Sequence, residues 1–278
     1  MIKTNYHTHS LFCDGKNSVK EMVAKAIELQ FDILGFSSHS LCSFSTDWHL
    51  PVRRHKEYAD EVKRIKDLYK DKINIKLGFE SDYLYGVNIP RKDAYSDFNI
   101  DYLIGAVHYV TNENGSFAVD YSAEQVKKDI ENIFYGNKSE VVHAYFENER
   151  TMLKKGDFDI IAHPDLIKKH NSKLNLFDEN STSYKEELLL TADAIQKAGV
   201  IVEINTGGIA RGYIQQPYPS PYFLSLLFER KVPVTFSSDA HSTDHLDFWF
   251  TQALDYIQKA GYKEMAYLDS GTIKFQAI

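Results

Sequence analysis

A recurrence constrains this chain more than any other feature. Short β-rich apolar runs alternate with stretches patterned as amphipathic helices. The runs lie at 2–6, 32–37, 73–79, 102–107, 158–162, 200–204 and 232–237. Several are apolar on both faces (ILGF, YLIGAV, DIIA, VIVEI), as parallel strands covered by helices must be. Between them, 18–30, 53–71, 123–134, 182–198 and 221–230 carry helical periodicity. Ser18 followed by Glu21 makes a capping box, and Lys197-Ala198-Gly199 gives a basic last turn with a glycine stop. No repeat, linker or block of like charge divides the chain, so one domain over 1–278 is expected. Seven strand–helix alternations fit either an open doubly wound sheet or a closed barrel.

The residues that follow the strands decide between the two. The first run ends in His7-Thr8-His9, the second in His39, the third in Glu80, the fourth in His108 and the fifth in His163. The sixth ends in Asn205-Thr206 and the seventh in Asp239-Ala240-His241. Six of the chain's eleven histidines fall in these phased positions, which chance placement in loops does not explain. In a barrel all carboxyl ends meet at one mouth, whereas an open sheet would string these residues along an edge. The expectation is an α/β fold, a closed or nearly closed barrel of seven parallel strands.

Imidazole and carboxylate gathered in this way are ligands for Zn, Fe or Mn. His7 and His9 are two apart and face one side of a strand; Asp239 and His241 repeat the spacing, and Asp14 follows the first pair. The expected metal set is His7, His9, Asp14, His39, Glu80, His108, His163, Asp239 and His241. At about three protein ligands per ion, nine donors point to three divalent ions. Three dications against Asp14, Glu80 and Asp239 leave the pocket near +3, roughly. An acidic protein could therefore still take an anionic substrate at its mouth.

Composition excludes the competing classes. With 39 acidic and 32 basic side chains the net charge is -7, which disfavours nucleic acid and anionic membranes as partners. Aromatic residues at 13% exclude low-complexity disorder, and no apolar run reaches the roughly 20 residues of a spanning helix. The start, MIKTNYHTHS, lacks a signal-peptide core, and Cys13 and Cys42 cannot build a disulfide framework. A cytoplasmic protein is expected. There is no P-loop, no phosphocysteine arrangement and no Gly-x-Ser-x-Gly elbow.

His7-Thr8-His9, Asp14-Gly15, Ser38-His39, Gly78-Phe79-Glu80, Ala106-Val107-His108, Ala162-His163-Pro164 and Ser238-Asp239-Ala240-His241 resemble the PHP family of metal-dependent phosphoesterases. Within that family, the segments around His108, His163-Pro164-Asp165 and Glu203-Ile204-Asn205-Thr206 are similar to those of the histidinol-phosphate phosphatases of histidine biosynthesis. The resemblance implies a distorted (β/α)7 barrel with a trinuclear site. One ion would take His7, His9, Glu80 and Asp239; a second would share Glu80 and add His108 and His163; the third would take Asp14, His39 and His241. It also implies a phosphoric monoester hydrolase that cleaves L-histidinol phosphate by metal-activated hydroxide. Glu80, Asp239 and His241 are its catalytic candidates; the proton for the leaving alkoxide would come from Asp239, His241 or a metal-bound water. The alternatives are another phosphomonoester, nucleic acid 3′ ends, or a metal-binding protein without activity.

For substrate contacts, Arg211 after the sixth strand suits a bidentate phosphate contact. The long loop 41–54 offers Trp48, His49 and Arg53 as ligand contacts or as surface cover. His55, His143, His170 and His245 read as surface or capping residues, and both cysteines as packing residues.

Overall fold

The computed structural model describes residues 1–40, 46–269 and 271–278. Cys42 and the start of the long loop lie outside the described residues. Seven parallel strands run in the order β1 (Thr4–Asn5), β2 (Ile33–Ser40), β3 (Asn74–Asp82), β4 (Ile104–Ala106), β7 (Ile160–Ile161), β8 (Ile201–Asn205) and β9 (Val234–Ser237). Just past the first and last of them, a parallel bridge between Thr8 and Ala240 joins the sheet's edges, with His9 N donating to Ala240 O at 2.9 Å. The sheet is a nearly closed barrel, as the convergence of polar strand ends predicts. Two antiparallel hairpins are added: β5 (Tyr109–Asn112) with β6 (Gly115–Ala118), and β10 (Glu264–Asp269) with β11 (Thr272–Ala277).

The helices form as their patterns require. In α1 (Val19–Glu28) the buried residues Val19, Met22, Val23 and Ala26 lie on one stripe, and both halves of the Ser18–Glu21 capping box are made. Further helices are α2 (His55–Tyr69), α3 (Ala123–Ile133), α4 (Lys138–Lys155), α5 (Asn171–Leu174), α6 (Thr182–Ala198), α7 (Gly207–Ala210), α8 (Pro221–Glu229) and α9 (Phe250–Ala260). Gly199 ends α6 in the left-handed conformation, at φ 70°. The sequence reading did not include α4. Its buried stripe of Val141, Val142, Tyr145, Phe146, Met152 and Leu153 is interrupted by buried Asn148 and Glu149, which breaks the apolar signal. Asn148 donates to the Tyr109 carbonyl at 3.0 Å, and Glu149 accepts from the Tyr145 hydroxyl at 3.0 Å.

Alternation along the strands sorts two cores. Leu34 and Phe36 of β2, Leu77 and Phe79 of β3, and Val202 and Ile204 of β8 pack outward under the helices. Ile33, Ile104, Ile160 and Ile201 fill the barrel with Tyr6 and Tyr102, and Ala266 and Leu268 of β10 pack against them. Tyr102 enters because Gly35 and Gly78 face it; a Cβ at Gly78 would stand 2.6 Å from its ring. Its hydroxyl donates to the Phe36 carbonyl at 3.0 Å. Above this plug the inward positions of the same strands become polar: Ser37 and His39, Glu80 and Asp82, Glu203 and Asn205.

Candidate metal centre

Each donor leaves the carboxyl end of a strand or the loop after it. Register places His39 beside Glu80 on neighbouring strands, and their side chains meet, Nδ1 to Oε2, at 2.8 Å. The same Glu80 oxygen lies 2.9 Å from His7 Nε2 and 3.6 Å from His9 Nε2. Its other oxygen is 3.1 Å from His163 Nε2 and 3.6 Å from His108 Nε2. Asp239 Oδ1 is 3.2 Å from His9 Nε2, and Asp14 Oδ2 is 3.1 Å from His241 Nε2. All nine expected donors are therefore brought together. His163 and Asp239 hold left-handed backbone, at φ 25° and 49°, strain of the kind that proteins retain where a side chain must be aimed.

The arrangement fits metal ions and fits poorly as a hydrogen-bonded cluster. Nε2 of His7 and His9, Nδ1 of His39 and Oε2 of Glu80 are buried and make no hydrogen bond, although they lie close to one another. A buried polar atom without a partner is costly, and four of them converging suit a shared cation as partner. Three groups have ligand atoms within 4.8 Å of one another: His9, Asp14, His39 and His241; His7, His9 and Asp239; and His39, Glu80 and His108. This division differs in part from the one the resemblance implies, because His39 also reaches Glu80 and His9 also reaches Asp14.

Without metal, the centre is strongly polarised. Burial alone would lower His7, but Glu203, Glu80 and Asp239 outweigh it and hold the imidazole well above its usual range. Burial opposes ionisation of Glu80, yet His39, His7 and His163 keep it well below the carboxylate range. Burial and its histidine neighbours push His9 down to about 3. Asp239 is depressed too: against burial, Arg211 and His7 hold it ionised.

Two carboxylates that sequence reasoning missed stand behind the donors. Glu203 Oε2 is 2.9 Å from His7 Nδ1, while its Oε1 accepts from His163 N at 3.0 Å and from Asn205 Nδ2 at 2.6 Å. Asp82 pairs with His108 Nδ1 and lies 2.6 Å from His49 Nε2. Such partners fix which imidazole nitrogen faces a metal. Both could have been found by the two-residue spacing that links His7 to His9, because Asp82 follows Glu80 and Glu203 precedes Asn205 at that interval.

A cavity of about 300 Å³ opens over the donors; its wall includes His39, His108, His163, Asp239, His241 and Arg211. Arg211 reaches it as expected, and also holds Asp239, with Nη2 2.8 Å from Oδ2 and Nη1 2.9 Å from the backbone oxygen. His49 does not line the cavity. It is buried and turned to Asp82, because the carboxylate offers its ring N–H a partner that the cavity does not. Arg53 is exposed in the turn Val52–Arg54 and is likewise absent from the wall. From that loop Trp48, the third residue named there, does line the cavity, and so does Asp47, which was not expected; Asp120, Tyr121, Lys169 and Tyr213 share the wall. Among the remaining histidines, His55 and His170 are buried rather than superficial: His55 packs on Phe79 and His170 bonds the Tyr121 carbonyl. Cys13 is half-buried, its sulfur 3.5 Å from His9 Nδ1.

Comparison with known proteins agrees with the fold. A protein of Schizosaccharomyces pombe named "Probable histidinol-phosphatase" is 27% identical over 95% of this chain and 89% of its own length. The solved structure of a Lactococcus lactis histidinol phosphate phosphatase, complexed with zinc, L-histidinol and phosphate, superposes with a TM-score of 0.75. The two chains are 21% identical, and the match covers 98% of this chain and 99% of the other. A solved structure from Listeria monocytogenes gives a TM-score of 0.77 at 23% identity, over 90% of this chain and 99% of that one. At these identities the superpositions establish the barrel. The PHP domain family matches residues 5–207, which hold seven of the nine donors; Asp239 and His241 join them from β9's end. With nearly three quarters of its length matched and every expected donor at one mouth, the chain belongs to the PHP domain family.

Proposed function

We propose that this chain is a histidinol-phosphate phosphatase that hydrolyses L-histidinol phosphate to L-histidinol and phosphate, with three divalent ions at its mouth. One observation carries the reading: the cavity over the donors presents cations and carboxylates together with aromatic rings. Arg211 and Lys169 suit a phosphoryl group, while Asp47, Asp120, Trp48, Tyr121 and Tyr213 suit a cationic amine and a flat heterocycle. Of the two carboxylates, Asp120 also faces Lys169 at 4.0 Å, which leaves Asp47 for a substrate amine. The relative from S. pombe, by its name, supports the same substrate.

When bound, divalent ions at such a site supply an activated water and neutralise the phosphoryl oxygens. The chain's own residues do the rest. Formally, Asp82 and Glu203 add two negative charges that the sequence tally omits, which brings the site near +1; on the wall, Arg211 and Lys169 are matched by Asp47 and Asp120, so it stays near +1. Arg211 orients the phosphoryl group while it keeps Asp239 an anion, so Asp239 acts as a ligand and not as a proton donor. His241, at the cavity wall with Nε2 3.1 Å from Asp14 Oδ2, is placed as a ligand as well, so the proton for the leaving alkoxide is assigned to neither side chain.

Phosphate release from L-histidinol phosphate, compared with the phosphate monoester of a neutral aliphatic alcohol such as glycerol 3-phosphate, tests the substrate. The expected kcat/KM ratio favours L-histidinol phosphate by about 10³. Equal ratios would reject the substrate while leaving a phosphatase, and cleavage confined to single-stranded nucleic acid would replace both.

A further inference from the structure

The polar chain behind His108 does not stop at Asp82. His108 Nδ1 pairs with one oxygen of Asp82, His49 Nε2 lies 2.6 Å from the other, and His49 Nδ1 is 2.7 Å from Thr46 Oγ1. Asp82 is fully buried, and His49 and His108 are 3% and 2% exposed, so water does not compete for these bonds. The geometry orders this chain. An ionised carboxylate only accepts, so Asp82 takes a donor from each ring. With Nε2 turned to Asp82, His49 faces Thr46 through Nδ1, and His108, donating from Nδ1, turns Nε2 to the metal centre.

The same His49 ring supports the cavity wall. Trp48 stacks on it, with centroids 3.7 Å apart and planes at 29°. The indole meets His39 and His108 edge-on, at 4.8 Å and 5.2 Å. Its other contacts are Leu84, Tyr109 and Ala118, an apolar cluster separate from the two main cores. Trp48 therefore takes its seat from His49 and touches two donors of the centre.

We propose that His49 is a positioning residue with two outputs: through Asp82 it fixes the His108 tautomer that presents Nε2 to a metal ion, and through its ring it seats Trp48 in the substrate cavity. The inference needs the metal centre but not the identity of the phosphomonoester.

Two substitutions separate the outputs. His49→Phe keeps a ring under Trp48 and removes the donor to Asp82; His49→Gln keeps an N–H donor and removes the ring. Zinc affinity is read by chelator competition, KM and kcat on the loaded enzyme, and the melting temperature on the metal-free chain. His49→Phe is expected to lose 10- to 100-fold in zinc affinity, roughly, with KM near wild type. His49→Gln is expected to stay within a few-fold of wild type in zinc affinity and to raise KM. Wild-type zinc affinity in His49→Phe overturns the proposal. So does an equal loss of zinc affinity and KM in both variants that follows their melting temperatures, which is what a merely structural residue would give.

Discussion

The floor and the mouth of this barrel are built on the same strands by opposite physics. On β8 the inward residue is Ile201 at the floor, then Glu203 and Asn205 toward the mouth; on β2 it passes from Ile33 to Ser37 and His39. At the floor, Tyr102, Ile104 and Ile160 lose water and gain close packing, so every contact favours the fold. At the mouth, burying Glu80 with five histidines around it costs stability unless a cation joins them. A step of two residues along a strand separates the part that holds the barrel together from the part that works.

That contrast predicts different signatures. The largest effect belongs to the mouth. Glu80→Gln removes the carboxylate shared by five imidazoles and should cut turnover by roughly 10³-fold or more, with loss of bound metal. The metal-free melting temperature should fall as well, because ionised Glu80 is held by its histidines and they lose their partner with it. Activity assays and melting curves on one preparation check both halves. A large fall in melting temperature with activity retained would break the contrast.

A floor substitution should cost stability alone. Gly78→Ala places a methyl group 2.6 Å from the Tyr102 ring, with no room for the ring to retreat between Tyr6 and Ile104. Overpacking of this kind costs about 1–3 kcal/mol. Denaturant unfolding should show the loss, while kcat of the folded enzyme stays near wild type; a kcat defect without destabilisation would contradict the division.

The smallest predicted effect is a pH dependence centred on the mouth. In the metal-free chain, burial would lower His108, but Asp82 outweighs it and raises the imidazole to about 10. Its contribution to stability is thus complete below the unfolded value of about 6.5 and is lost as pH rises toward about 10. The depressed carboxylates Glu80 and Asp239 contribute above their ordinary range, about 4, and that stability is lost on acidification through their lower folded values. Metal-free protein should therefore lose stability above about pH 6.5, through His108, and below it, where His9, held neutral down to about 3, must stay uncharged against its unfolded value. Zinc binding at neutral pH should release at least about one proton per chain, read from calorimetry in buffers of different ionisation enthalpy. Zero release would mean that the histidines are already neutral.

Much of this was legible before the coordinates, for a reason specific to barrels. Parallel strands leave apolar runs, and their ends converge, so the residue after each run reports the site. His39, Glu80 and His108 were found in that way. The reasoning failed where it ended a strand too soon: β3 was expected to stop at Phe79 but continues through Glu80 to Asp82. A polar residue at a strand's end reads as a turn, although here it is an inward position with partners waiting. His49 failed differently. Its loop location suggested a substrate contact, and only three-dimensional packing reveals that Asp82 claims its ring. The helix α4 was hidden by Asn148 and Glu149, buried polar residues on an otherwise apolar stripe.

The most direct test of the account is to locate the metal itself. Anomalous diffraction from crystals of the zinc-loaded protein, with elemental analysis of the same batch, would place each ion. The account predicts about three ions per chain, all among His7, His9, Asp14, His39, Glu80, His108, His163, Asp239 and His241. Zinc bound only outside that cluster, or no zinc under saturating supply, would contradict it.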